Sequence, residues 1–151
     1  MATLVYDTKV GNGNNPAWWM TQLNIYGFAT TNGDGGVPYI HFKTNVSAST
    51  EKIFAIEAVG YNYGWTLAVR CVQSLYTTGG GSVVSKGSNY SADGLYPDGV
   101  YKSSDNYACV RFYKPSHYYN GFILNAYTAY YYGTSVSILA ASQNGTSGNY
   151  Y

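Results

Sequence analysis

Apolar and polar side chains alternate with a period of two along this sequence, in short runs closed by turn residues. Such runs bury one face and show the other to solvent, which is the signature of half-buried β-strands. Trp18–Phe28 sets Leu23 and Ile25 against Gln22, Asn24 and Tyr26. Val37–Val46 alternates Ile40, Phe42 and Thr44 with Tyr39, His41 and Lys43. Lys52–Tyr61 aligns Phe54, Ile56 and Ala58, and Trp65–Tyr76 sets Leu67, Val69 and Cys71 against Thr66, Ala68 and Arg70. Tyr107–Lys114 alternates Ala108, Val110 and Phe112 with Cys109, Arg111 and Tyr113. Tyr119–Tyr127 aligns Phe122, Leu124 and Ala126, and Thr134–Ser142 is the last run. No window holds a sustained 3.6-residue apolar stripe with caps, so helix is not expected.

Turn signals separate these runs, the densest being Asn32–Gly36. Thr77–Asp98, with Gly79–Gly81 and a closing Pro97-Asp98-Gly99, reads as a long surface excursion with at most one short strand. Tyr stands beside Gly at several strand ends, in Asn62-Tyr63-Gly64, Tyr119-Asn120-Gly121 and Tyr131-Tyr132-Gly133. About seven to eight strands with short polar turns predict an all-β, antiparallel β-sandwich, jelly-roll-like and essentially without helix. That sandwich covers residues 18–151 as a single domain. Residues 1–17 stand apart: Thr3–Lys9 alternates weakly and Gly11–Pro16 is a flexible link. They read as an N-terminal arm or anchor strand that pairs with a neighbouring subunit.

Composition then narrows the function. Charged residues make up 10% of the chain, against a typical ~25%. The 8 Lys and Arg are scattered and leave a net charge of +1, which gives no footprint for nucleic acid. No apolar stretch approaches ~20 residues, so no helical membrane insertion is expected. Met1–Val10 lacks the basic and apolar regions of a secretory leader, so synthesis in the cytoplasm is expected. The chain carries 19 Tyr, 5 Phe and 3 Trp. Rings of ~150–250 Å² each are hard to enclose in one small domain, so many tyrosines should lie at a surface or a subunit contact.

Catalytic patterns are sparse. The 2 His, His41 and His117, form no HxH or HExxH motif, and no G-x-S-x-G elbow occurs. Among the acids only Glu57 lies within an apolar strand, where burial would raise its pKa; Asp34, Asp93 and Asp98 precede glycines and read as turn residues. A small hydrolase resting on Glu57 is therefore a minor alternative, and no enzyme activity, cofactor or metal is expected. The 2 Cys, Cys71 and Cys109, have no metal spacing and stand either as buried thiols or as a cross-strand disulfide. Sequons at Asn45–Ser47, Asn89–Ser91 and Asn144–Thr146 matter only where a glycosylation machinery is met.

Binding remains. Tyr and Trp faces stack on sugar rings while Asn and Ser supply hydrogen bonds, and the same residues make rigid protein contacts. One candidate cluster is His117, Tyr118, Tyr119 and Asn120 with Tyr127, Tyr130, Tyr131 and Tyr132. The other is Tyr61, Tyr63 and Trp65. Either can line a glycan groove or a subunit contact.

Several segments carry a resemblance. Pro16–Met20 leading into a strand, Lys102–Val110, Arg111–Tyr113, Ser116–Phe122 before Leu124–Tyr127, the closing Val136–Asn144 and the terminal Tyr150-Tyr151 resemble the small tyrosine-rich β structural proteins of tailed phages of aquatic bacteria, cyanophage-like virions in particular. The likeness spans roughly residues 16–151 and lies in strand-turn style, with no catalytic motif to carry across. It implies a virion surface component: a fibre tip, a capsid fibre or a decoration protein. It further implies a homo-oligomer, with a trimer favoured, that attaches to host surface glycans and is held to other virion proteins through residues 1–17. The alternatives are a subunit of an extracellular fibre assembled by strand exchange, and a secreted carbohydrate-binding lectin.

Overall fold

The structure is a computed structural model. It describes residues 2–3, 20–30, 38–62, 65–90, 95–114, 120–129, 135–144 and 148–151. Side chains are described at 38–60, 70–90, 95–114, 121–128, 135–143 and 148–151.

Those residues form strands β1 (Ala2–Thr3), β2 (Met20–Thr30), β3 (Tyr39–Ser47), β4 (Glu51–Asn62), β5 (Trp65–Thr78), β6 (Val83–Tyr90), β7 (Tyr96–Lys102), β8 (Tyr107–Tyr113), β9 (Asn120–Ala129) and β10 (Ile138–Asn144), with no helix among the described residues. Two antiparallel layers make the sandwich. One runs β9–β4–β5–β6 and is extended to six strands by β2 and the two-residue β1; the other is the four-stranded β10–β3–β8–β7. β2 pairs with β9 in the first layer and β3 pairs with β8 in the second, so the outer pairs are nested as in a jelly roll. Inside that nest the chain departs from the jelly roll: β4, β5 and β6 make a simple meander, and β7 and β8 a hairpin.

The alternation in the sequence is the alternation of the pleat. Ile40 and Phe42 of β3, Phe54, Ile56 and Ala58 of β4, Ala108, Val110 and Phe112 of β8, and Phe122, Leu124 and Ala126 of β9 are buried in one cluster between the layers. The Phe42 and Phe112 rings meet edge-on at 6.0 Å across the β3–β8 pair. Each of the buried Phe, Ile, Leu and Val side chains stabilises the fold by about 1.5–3 kcal/mol relative to exposure. Cys71 faces this core, Cys109 lies on the opposite face of β8, and both are buried free thiols. β4 and β9 approach closely at Gly60. A Cβ there would stand 1.8 Å from the Gly121 carbonyl oxygen, so only glycine fits.

The excursion expected over Thr77–Asp98 instead carries all of β6 and the start of β7. β6 lies at a sheet edge and, after Val83, is exposed on both faces, so nothing in its sequence had to alternate. Lys86 bulges out of its ladder and Gly87 takes φ 142°; a bulge and a lysine on an edge blunt pairing with another chain. β7, the edge of the other layer, tolerates Pro97 for the same positional reason. Of the residue 1–17 arm, Ala2 and Thr3 pair with Leu23 and Gln22 of the chain's own β2, and the rest lies outside the described residues.

Candidate functional site: an aromatic face

Phenylalanine and tyrosine divide between the inside and the outside of this sandwich. Phe42, Phe54, Phe112 and Phe122 are buried, whereas Tyr101 is the one buried tyrosine among those whose side chains are described. The phenol oxygen explains the split, because it needs water or a partner and the ring does not.

Cross-strand pairing gathers the outer tyrosines into a row. Tyr39 of β3 faces Tyr113 of β8, and Tyr113 faces Tyr96 of β7. Their ring centroids are 5.4 Å and 6.0 Å apart. Tyr90, at the end of β6 in the other layer, closes on Tyr96 at 4.9 Å with its ring edge-on. The row Tyr39–Tyr113–Tyr96–Tyr90 thus crosses the outer face of β3, β8 and β7 and reaches the edge of the opposite sheet. Tyr90 is 51% exposed and the others are half-buried, so the row is held from beneath and open above. At its Tyr90 end opens a groove of about 450 Å³, lined by Arg70, Val72, Asn89 and Tyr90.

Fixed charge borders the row. The register shift between Pro97 and Gly99 lets Asp98 bulge toward Arg111, and the two form an ion pair. Arg111 also donates to the Gly148 carbonyl at 3.2 Å. Beyond Arg111 the same face carries His41, whose Nδ1 lies 3.0 Å from the Tyr101 hydroxyl. Tyr150 packs over the His41 ring at 5.6 Å and Tyr151 packs against Tyr150, so the segment 148–151 covers this half of the face. Burial, reinforced by the Arg111 charge and opposed by Asp98, takes the His41 pKa down to about 4, so the ring is neutral at physiological pH. Burial likewise raises the Cys109 thiol to about 11, which leaves it a poor nucleophile.

The outer face of the other sheet holds Glu57. It is only 4% exposed, yet its pKa is not raised as its apolar strand suggested. Burial does push it up, but hydrogen bonds from Tyr127 (2.6 Å) and Arg70 (2.7 Å), the Arg70 charge and Asn125 (3.4 Å) outweigh that and hold the carboxyl below its ordinary value. Glu57 is therefore a satisfied ionised carboxylate. Tyr127, expected among the ligand-binding tyrosines, spends its hydroxyl on this carboxylate, and burial with the Glu57 contact raises its pKa to about 12.

Of the other expected site residues, Tyr61, Trp65 and Asn120 are described as strand backbone. Asn62 pairs with both Trp65 and Asn120, and Tyr61 pairs with Gly121, so the two sequence clusters converge at one end of the six-stranded sheet. Tyr127 stands further along β9, opposite Ala55. Tyr63, His117, Tyr118, Tyr119, Tyr130, Tyr131 and Tyr132 lie outside the described residues. The row of four was missed because it is non-local: Tyr39 and Tyr113 each stood on the outer face of an alternating run, but the pairing of those runs is invisible in sequence. No group of three or more His, Cys, Asp or Glu suited to a metal occurs among the described residues. No family model, curated protein or solved structure matches this chain.

Proposed function

We propose that this chain is a non-enzymatic glycan-binding protein of a virion surface, acting in host attachment as a fibre-tip or capsid-surface component. The observation that carries the reading is the open row Tyr39–Tyr113–Tyr96–Tyr90. Successive tilted rings on neighbouring strands suit an extended saccharide, because each sugar presents an apolar C–H face to a ring and its hydroxyls to the surrounding polar atoms. The Arg111–Asp98 pair beside the row supplies fixed hydrogen-bonding groups, and Asn89 adds an amide in the adjoining groove. Arrayed as a homo-oligomer, with a trimer favoured, weak single sites gain by copy number. The virion setting rests on the resemblance in sequence style, and the binding chemistry rests on the row.

The test is binding of the whole chain to a glycan array and to host cells, compared with the Tyr96→Ala/Tyr113→Ala double variant. Removing two stacked rings, at about 0.5–1.5 kcal/mol each, should weaken binding about 5- to 150-fold with the melting curve still cooperative. Undiminished binding by the double variant, with loss instead in Tyr118→Ala or Tyr119→Ala, would move the site to the sequence cluster. Electron microscopy supplies the setting: closed oligomers on particles are expected, whereas open-ended filaments would favour the fibre reading.

A further inference from the structure

The inward row of β4 does not begin with an apolar residue. Lys52 shares the parity of Phe54, Ile56 and Ala58, so its side chain enters the gap between the two sheets at one end of the sandwich. It is 5% exposed, and lysine is almost never buried without a partner. Its ammonium offers three donors, and the one hydrogen bond it makes among the described residues is to the Ser135 carbonyl at 2.9 Å. The ion pairs among those residues are Lys43–Asp105, Arg70–Glu57 and Arg111–Asp98, and none involves Lys52. The adjacent Glu51 is engaged with the Tyr76 hydroxyl.

Lys52 lines a cavity of about 220 Å³ together with Asn45, Val46, Ser47, Thr50 and Ser135. No carboxylate is among these residues. Asn45 is fixed, since its amide donates to the Ser135 hydroxyl (3.1 Å) and its carbonyl accepts from the Ser137 N–H (2.9 Å). The Ser47 hydroxyl accepts from the Ser49 N–H and from Asn106. Both serine oxygens thus act as acceptors toward the protein, and their own protons are left to donate. A buried cation and hydroxyl-bearing residues therefore line one space, and no carboxylate stands among the described residues that line it. Water satisfies such donors only in part, because the ammonium also finds no compensating charge among the described residues.

We propose that this cavity is a binding site for a small oxyanion of the phosphate, sulfate or carboxylate type, with Lys52 as the charge partner and Ser47, Thr50 and Ser135 as hydroxyl donors. At about 30 Å³ per water, the space holds one such group with a few waters. The oxyanion is either a free ion or a substituent carried on a sugar. The site lies at the far end of β3 from Tyr39 and does not depend on the aromatic row.

The test is an NMR titration of the wild-type chain, following the Lys52 side-chain signals at constant ionic strength, with inorganic phosphate in one arm and glucose 6-phosphate in the other. A saturable shift of the Lys52 signals and an upward move of its titration midpoint are expected. Response to both ligands identifies a mouth wide enough for a sugar-borne group, and response to phosphate alone identifies a free ion. Thermal melts should show a phosphate-dependent rise in Tm for wild type and none for Lys52→Met. Lys52 signals unmoved by either ligand would overturn the proposal, and this reading needs no variant to fold.

Discussion

Tyr127→Phe isolates the buried carboxylate of the six-stranded sheet. The substitution keeps the ring and removes one oxygen, so packing is conserved while Glu57 Oε1 loses its 2.6 Å donor. What remains at that oxygen is Asn125 at 3.4 Å, too long to compensate. A hydrogen bond to a charged group contributes about 1.5–3 kcal/mol, and Glu57 is too buried for water to replace it. At about 2–4 °C per kcal/mol for a domain of this size, Tm at pH 7 should fall by about 3–12 °C. The loss has a pH signature. Glu57 is held below its ordinary value near 4.5, so its contribution is full above that pH and disappears as pH falls through the lower folded value. Losing Tyr127 raises the folded value toward 4.5, so wild type and variant should converge in acid. Thermal melts from pH 7 to pH 3 measure this, with Tyr113→Phe as the control expected to change stability by less than about 0.5 kcal/mol. A variant as stable as wild type at pH 7, or a deficit of equal size at pH 7 and pH 3, would refute the reasoning.

Two further outcomes follow from the packing. Gly60→Ala places a methyl 1.8 Å from the Gly121 carbonyl oxygen, and a backbone atom cannot swing aside, so urea denaturation should show a loss of about 3 kcal/mol, the upper end of the cost of overpacking; a full-stability variant would mean that β4 and β9 do not meet there. His41, with a pKa of about 4 when folded and 6.5 as its ordinary value, takes up its proton more readily when unfolded, so stability should drop by about 3 kcal/mol as pH falls from 6.5 through 4. His41→Phe should flatten that slope, as followed by urea midpoints across the window, and an unchanged slope would place the titrating group elsewhere.

The strands were legible where one face had to be buried. Ala108, Val110 and Phe112, or Phe122, Leu124 and Ala126, carry the period of two because the core demands it. β6 was not legible, since an edge strand exposed on both faces has no face to conceal. The site was harder to read for a different reason. Clusters such as Tyr130–Tyr132 are visible because they are adjacent in the chain, whereas Tyr39, Tyr96 and Tyr113 become neighbours only through cross-strand pairing. Glu57 shows the same limit: its strand is readable, but the partner that sets its charge, Tyr127, lies 70 residues away. Lys52 was readable by parity alone, and its inward direction goes unnoticed because a lysine is assumed to face water.

The most direct measurement is a saccharide titration of the whole chain, followed through the aromatic ring protons of its tyrosines. Saturable shifts concentrated on Tyr39, Tyr90, Tyr96 and Tyr113 are predicted, with Tyr101 and Tyr127 unmoved. Shifts that leave those four rings untouched while a ligand demonstrably binds would contradict the account.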